Sequence, residues 1–198
     1  VNDHRWLEPL LPDICARLQD GRPLLELGCG DGLDTAVLAG AGCRVIGVDR
    51  SEAALAEARA RVPGAEFYCR DLREPFPLGA GAAGVVLASL SLHYFPWAET
   101  VELVERIRRV LAADGLFVCR VNSTNDRNYG AVGHPEIDRH YYSVSGRTKR
   151  FFDRTDVESL LATGWQARTL LEETIDRYGL PKVVWRVVAT PSPAGRLE

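Results

Sequence analysis

The segment Leu24-Leu25-Glu26-Leu27-Gly28-Cys29-Gly30-Asp31-Gly32 constrains this chain more than any other. A short apolar run stops at alternating glycines, and a helix-compatible stretch, Asp34 to Ala41, follows it. Glycine there lets the backbone turn sharply and lets a ligand approach the main chain with no Cβ in the way. The helix start beyond offers amide N–H groups that have no partner inside the helix. A second apolar run, Arg44 to Val48, ends at Asp49, nineteen residues after Gly30. In an open α/β sheet an acid at that place can accept both hydroxyls of a ribose. A third acid, Asp71, follows the next strand-like run, Glu66 to Cys69, and is expected on the same sheet edge.

The same rhythm continues along the chain. Ser51 is a good N-cap for the Ala/Glu/Arg-rich stretch Glu52 to Val62, which Pro63-Gly64 ends. Val85 to Ala88 reads as a fourth, very apolar strand. Val101, Val104, Ile107 and Leu111 have helical spacing, and Asp114-Gly115 leads into a fifth strand, Leu116 to Cys119. Strands buried on both faces and alternating with helices predict a parallel sheet flanked by helices. Residues 122–150 show no clear period and are expected to form a functional loop or lid. Thr155-x-x-Glu158 has the pattern of a capping box, Gly164 fits the end of that helix, and Trp165–Leu171 and Val183–Ala189 are expected as the last strands.

Composition excludes several classes. The 198 residues are 46% apolar and 26% charged with a net charge of −3, which suits one globular domain and gives no global positive field for nucleic acid. No apolar run is long enough to span a membrane, and the N-terminus lacks the basic-then-apolar order of a signal peptide. Five scattered cysteines with no C-x-x-C pair argue against a zinc ribbon or a disulfide scaffold and for a reducing cytoplasm.

Five ordered segments resemble class I S-adenosylmethionine-dependent methyltransferases. Glu26-Leu27-Gly28-Cys29-Gly30-Asp31-Gly32 is similar to the family's first motif, and Val45-Ile46-Gly47-Val48-Asp49 to its second-strand motif. Cys69-Arg70-Asp71-Leu72, Leu87-Ala88-Ser89-Leu90 with Leu92-His93-Tyr94-Phe95, and Leu111 to Leu116 resemble the three that follow. The resemblance covers residues 22–121, with looser similarity over 150–190. It implies a Rossmann-like, doubly wound α/β fold: a seven-stranded, mostly parallel sheet whose last strand is antiparallel.

It also implies a single methyltransferase domain with a helical N-terminal lid (1–21), a cofactor core (22–121), a substrate loop (122–150), a C-terminal helix and two strands (151–190) and a tail (191–198). S-adenosylmethionine is the cofactor so implied, and S-adenosylhomocysteine the product. Glu26 and the backbone of Gly28, Cys29 and Gly30 would surround its methionine part. Asp49 would take the ribose, with Arg50 beside the adenine. Asp71 and the Leu72 amide would read the adenine, and the backbone at Ser89 would hold the ammonium. The charge logic agrees, since three carboxylates suit a sulfonium and an ammonium and would repel a pyrophosphate.

The expected acceptor is a small molecule, with no nucleic acid or membrane partner and a monomer or homodimer as the assembly. The fourth-strand segment has no Asn/Asp-Pro-Pro-aromatic motif of the kind found in enzymes that methylate amino groups of DNA bases or glutamine. His93, just past strand four, is the candidate general base. Tyr94, Arg120 and Asn122 at strand ends, and Trp6 in the N-terminal segment, are candidate acceptor-side residues. Three alternatives stand beside this reading. One is a protein that binds the cofactor without catalysis. Another is a nicotinamide-dependent oxidoreductase, for which G-x-G-x-G replaces the usual G-x-G-x-x-G and Gly179 and Pro181 interrupt the pair Tyr178 and Lys182. The third is a metal site in His134-Pro135-Glu136-Ile137-Asp138-Arg139-His140, weighed against an ordinary polar loop and not adopted. The basic run Arg147-Thr148-Lys149-Arg150 is expected as solvated surface, with pairing to an anionic substrate as the alternative.

Overall fold

The computed structural model describes residues 3–176 and 179–192. Tyr178 lies outside them, so the pair it would make with Lys182 does too. The strands are β1 (Leu24–Leu27), β2 (Val45–Asp49), β3 (Glu66–Cys69), β4 (Ala83–Ser89), β5 (Leu111–Asn122), β6 (Glu136–Asp138), β7 (Tyr141–Val144), β8 (Arg147–Arg150), β9 (Trp165–Ile175) and β10 (Lys182–Pro191). The α-helices are α1 (Leu11–Ala16), α2 (Leu33–Gly40), α3 (Glu52–Arg61), α4 (Trp97–Val110) and α5 (Arg154–Leu160). No helix among the described residues is long and apolar enough to cross a membrane.

Seven strands make one sheet in the order β3-β2-β1-β4-β5-β10-β9. The first five are parallel. β10 enters antiparallel between β5 and β9, pairing Val184 with Asn122 and Arg186 with Arg120 on one side. β1 and β4 are buried along nearly their whole length because helices cover both faces. The chain order 3-2-1-4 places a crevice beyond the carboxyl ends of β1 and β4, where the winding direction reverses.

One core lies under α4 and α5. Leu103, Val104, Ile107 and Val110 of α4 meet Val86, Phe117 and Val187 of the sheet. Each such side chain contributes about 1.5–3 kcal/mol relative to exposure. The other face is closed by the N-terminal segment, a 3-10 helix (Asp3–Leu10) running into α1, whose Trp6, Leu7 and Ile14 pack with Leu38 of α2 and Val85, Leu87, Leu116 and Val118.

Local chemistry accounts for several boundaries and corrects others. The Ser51 hydroxyl caps α3, accepting from the Ala54 amide at 3.2 Å. Asp114-Gly115 lies inside β5, where the register against β4 shifts, rather than before the strand. The capping box of α5 is formed by Asp153 and Asp156, two residues earlier than Thr155 and Glu158 would place it. Asp153 accepts from the Asp156 amide at 2.8 Å, and Asp156 accepts from the Asp153 amide at 3.1 Å. Gly164, with φ of 75°, turns the chain into β9 three residues past the helix C-cap Leu161 and does not cap the helix.

Residues 122–150 are not an irregular loop. They hold a three-stranded antiparallel sheet, β6-β7-β8. The excursion leaves and returns at one place, where the Phe152 amide donates to the Asn122 carbonyl at 2.8 Å and Ser123 bridges Phe152. Its β7–β8 turn is Ser145-Gly146, both in the left-handed region at φ 50° and 77°. That is the geometry of a two-residue hairpin turn.

Candidate active site

A cavity of about 880 Å³ opens at the carboxyl ends of β1, β2 and β4. The glycine turn forms one side of it. Gly28 has φ of 77°, and a Cβ placed on it would stand 2.4 Å from the Ser91 Cβ, so only glycine fits between β1 and the segment after β4. The turn is fastened by Asp49. Its Oδ2 accepts from the Gly30 amide at 2.9 Å and its Oδ1 from the Ser51 amide at 2.9 Å. Both oxygens keep a further lone pair for a ligand.

Glu26, Asp49 and Asp71 all line this one cavity, as do Gly28, Cys29, Gly30, Arg50, Leu72, Ser89 and Tyr94. Glu26 is buried and accepts from the Thr35 hydroxyl at 2.5 Å. Asp71 accepts from the Arg73 amide at 2.9 Å and approaches the Arg73 guanidinium at 3.4 Å. Cys29 senses the resulting field. Burial, then the negative charges of Glu26 and Asp49, push its thiol far above the usual range, so it stays neutral.

Four candidates stand behind the wall. His93 is buried in a 3-10 turn, Leu92–Tyr94, with its ring 4.2 Å from that of Tyr94. The turn sends Tyr94 to the cavity and His93 inward, so the imidazole does not meet the cavity as a base would. Its Nδ1 has no hydrogen-bond partner among the described residues. Arg120 is fully buried, donates to the Ser89 Oγ from Nε at 3.1 Å and Nη2 at 3.0 Å, and lies 4.0 Å from the Trp6 ring centre. It meets the wall at Ser89, and its carbonyl accepts from the amide of the wall residue Leu90 at 2.8 Å. Trp6 donates weakly to the cavity-lining Asp34 at 3.4 Å. Asn122 donates to the Arg150 carbonyl at 3.3 Å and ties the small sheet to β5.

The wall also holds residues outside the candidate set, among them Asp31, Leu33 and Asp34 beyond the glycine turn, and Arg147 and Thr148 of the basic run expected as solvated surface. Ser91 and Leu90 follow β4, and Gly146, Arg147 and Thr148 come from the β7–β8 hairpin. The Ser91 Oγ is buried with no partner among the described residues. The hairpin is seated by hydrogen bonds from the Tyr141 and Thr148 hydroxyls to the Tyr94 carbonyl, at 3.3 and 3.4 Å. Arg150 is not solvated. It is buried against Tyr141 and Trp97 and donates to the Arg139 carbonyl at 2.9 Å. His140, Asp153 and Asp156 come within 4.8 Å of one another, but both acids cap α5 and Arg139 lies 2.8 Å from Asp153. His134, Glu136 and Asp138 are not part of that group.

The family model described as a methyltransferase domain matches residues 24–115, the part of the chain that builds the acidic side of the cavity. That stretch is thus similar to a methyltransferase domain, in line with the resemblance of the five ordered segments. It is 36% identical over 100 residues to an uncharacterized methyltransferase of Synechocystis, covering 50% of this chain and 47% of the relative. It is 35% identical over 107 residues to the trans-aconitate 2-methyltransferase of Delftia acidovorans, covering 52% and 39%. The chain thus spans less than half the length of these curated relatives. Among solved structures, a 1,6-didemethyltoxoflavin-N1-methyltransferase of Burkholderia thailandensis superposes with a TM-score of 0.71 at 23% identity, over 94% of this chain and 78% of that one. The Pyrococcus horikoshii protein PH0226 gives a TM-score of 0.72 at 23% identity, over 94% and 88%. These two likenesses are likenesses of fold.

Proposed function

We propose that this methyltransferase domain binds S-adenosylmethionine in the 880 Å³ cavity and passes its methyl group to a small-molecule acceptor. The observation that carries the reading is the convergence of Glu26, Asp49 and Asp71 on one cavity beside a glycine turn that leaves no room for a Cβ at Gly28. The donor set fits the group. Carboxylates suit a cation, and the buried, unpartnered Ser91 Oγ offers a polar contact at the glycine turn. When bound, the cofactor supplies a methyl carbon on a positively charged sulfur, which departs as a neutral thioether with the electrons of the broken bond.

The chain's own residues bind, orient and exclude water. Asp49 would accept from the ribose, while the Gly30 amide donating to its Oδ2 fixes the turn. Arg50 would lie beside the adenine, and Asp71 with the Leu72 amide would read it. Glu26, Cys29 and Ser89 bound the methionine end, with Arg120 and Trp6 positioning Ser89 from behind. Tyr94 and the hairpin tip face the acceptor, and His93 positions Tyr94 by packing on its ring. Asn122 holds the hairpin sheet to β5.

A small acceptor is supported by the printed names of trans-aconitate 2-methyltransferases among the relatives and by the neighbour that carries 1,6-didemethyltoxoflavin. The test is to incubate the protein with S-adenosylmethionine and a panel of small metabolites and to follow S-adenosylhomocysteine. Acceptor-dependent release supports the reading. Tight cofactor binding with no release across the panel favours the non-catalytic alternative.

A further inference from the structure

The cavity is charged unevenly. Its glycine-turn side carries Glu26, Asp49 and Asp71, whereas the hairpin side carries Arg147. The other cations on the wall have partners or sit at the far side. Arg73 pairs with Glu99 and Asp71, and Arg70 donates to the Pro75 carbonyl. Arg50 adjoins Asp49. Among the described residues Arg147 forms no ion pair, and neither does its strand neighbour Lys149. The two are separated by one residue in β8, opposite Val144 and Tyr142, and so share one face of the small sheet.

A third cation, Lys182, lies near Lys149. Lys149 and Lys182 both act electrostatically on the buried His93, and Lys149 also acts on Lys182. Lys182 is balanced by Asp126 at 2.7 Å, which leaves Lys149 and Arg147 uncompensated. Unpaired cations held near one another repel, and an anionic ligand relieves that repulsion. No histidine or lysine lines the cavity among the described residues. A carboxylate acceptor needs none, since it already holds the electron pair for the new bond and has no proton to lose.

We propose that the acceptor is a carboxylate-bearing small molecule, gripped by the Arg147 guanidinium on the β7–β8 hairpin with Lys149 adding to the field. Arg147 is then the specificity residue of the acceptor side. This rests on the functional reading above, because the acceptor must lie beside the bound cofactor.

The experiment is calorimetric titration of the full chain saturated with S-adenosylhomocysteine. The probes are tricarballylate, succinate and phenylacetate, set against glycerol 3-phosphate and the polyamine spermidine. At least one carboxylate is expected to bind, more tightly than the phosphate ester, with no binding of spermidine. Arg147→Ala is expected to weaken it by about tenfold or more, in line with loss of a charge-assisted pair, while S-adenosylhomocysteine affinity is unchanged. Preference for glycerol 3-phosphate or spermidine, no carboxylate binding, or a carboxylate affinity indifferent to Arg147→Ala overturns the inference. Failure of S-adenosylhomocysteine itself to bind overturns the underlying reading instead.

Discussion

Gly28 and His93 show how single positions decide the site. Gly28 joins left-handed backbone to a contact that a methyl group would close, so Gly28→Ala must move the turn or the segment holding Ser91. A cost of about 1–3 kcal/mol is expected, read as a lower denaturant midpoint at unchanged slope. A variant as stable as the parent contradicts the packing described. His93 was legible as a strand-end residue but not in its direction, because consecutive side chains in a 3-10 turn diverge. Burial, with Lys182 and Lys149 adding their charge, holds its imidazole well below the ordinary 6.5. The unfolded chain accepts a proton that the folded protein refuses, so stability is full above that value and lost as pH falls below it. One such group contributes at most about 1.4 kcal/mol per pH unit. His93→Leu should therefore lose less Tm than the parent between about pH 7.5 and pH 5.5. Equal losses in melting experiments would refute this.

Among the elements, those with a strong period were readable. α4 was readable from the helical spacing of Val104 and Ile107, which are buried, although Val101 of the same pattern is exposed and Leu111 opens β5; β1 and β4 were readable from short, mostly apolar runs between turn residues. The sheet β6-β7-β8 did not, since its strands are three or four residues long and mix exposed with buried positions. The signal available was the pair Ser145-Gly146, small and tolerant of positive φ, between two short strands. Gly146→Val forces a β-branched residue into that region at roughly 1–2 kcal/mol, paid by the hairpin. Amide hydrogen exchange should accelerate in β7 and β8 and stay slow in β1, β4 and β5. Uniform acceleration, or none, would show that the turn does not hold the hairpin. Arg120 and Arg150 illustrate the opposite difficulty, because a charged residue in a strand reads as exposed. Here the aromatic rings of Trp6, Trp97 and Tyr141 and nearby acceptors make burial possible.

Across the whole molecule, the order β3-β2-β1-β4-β5-β10-β9 brings acids from β1, β2 and the end of β3 to one crevice. The position of those acids along the sequence was sufficient to foresee this, since parallel strands all point their carboxyl ends the same way. What the sequence left open was the opposite wall, because no local pattern says where an excursion between β5 and α5 folds back. The central claim is that the acidic wall is a cofactor site. Calorimetric titration with S-adenosylhomocysteine tests it most directly. The parent protein should bind one equivalent and give no heat with NADH. Asp49→Ala should bind at least tenfold more weakly, since each hydrogen bond to a charged acceptor is worth about 1.5–3 kcal/mol. No binding of S-adenosylhomocysteine, or an affinity untouched by Asp49→Ala, would contradict it.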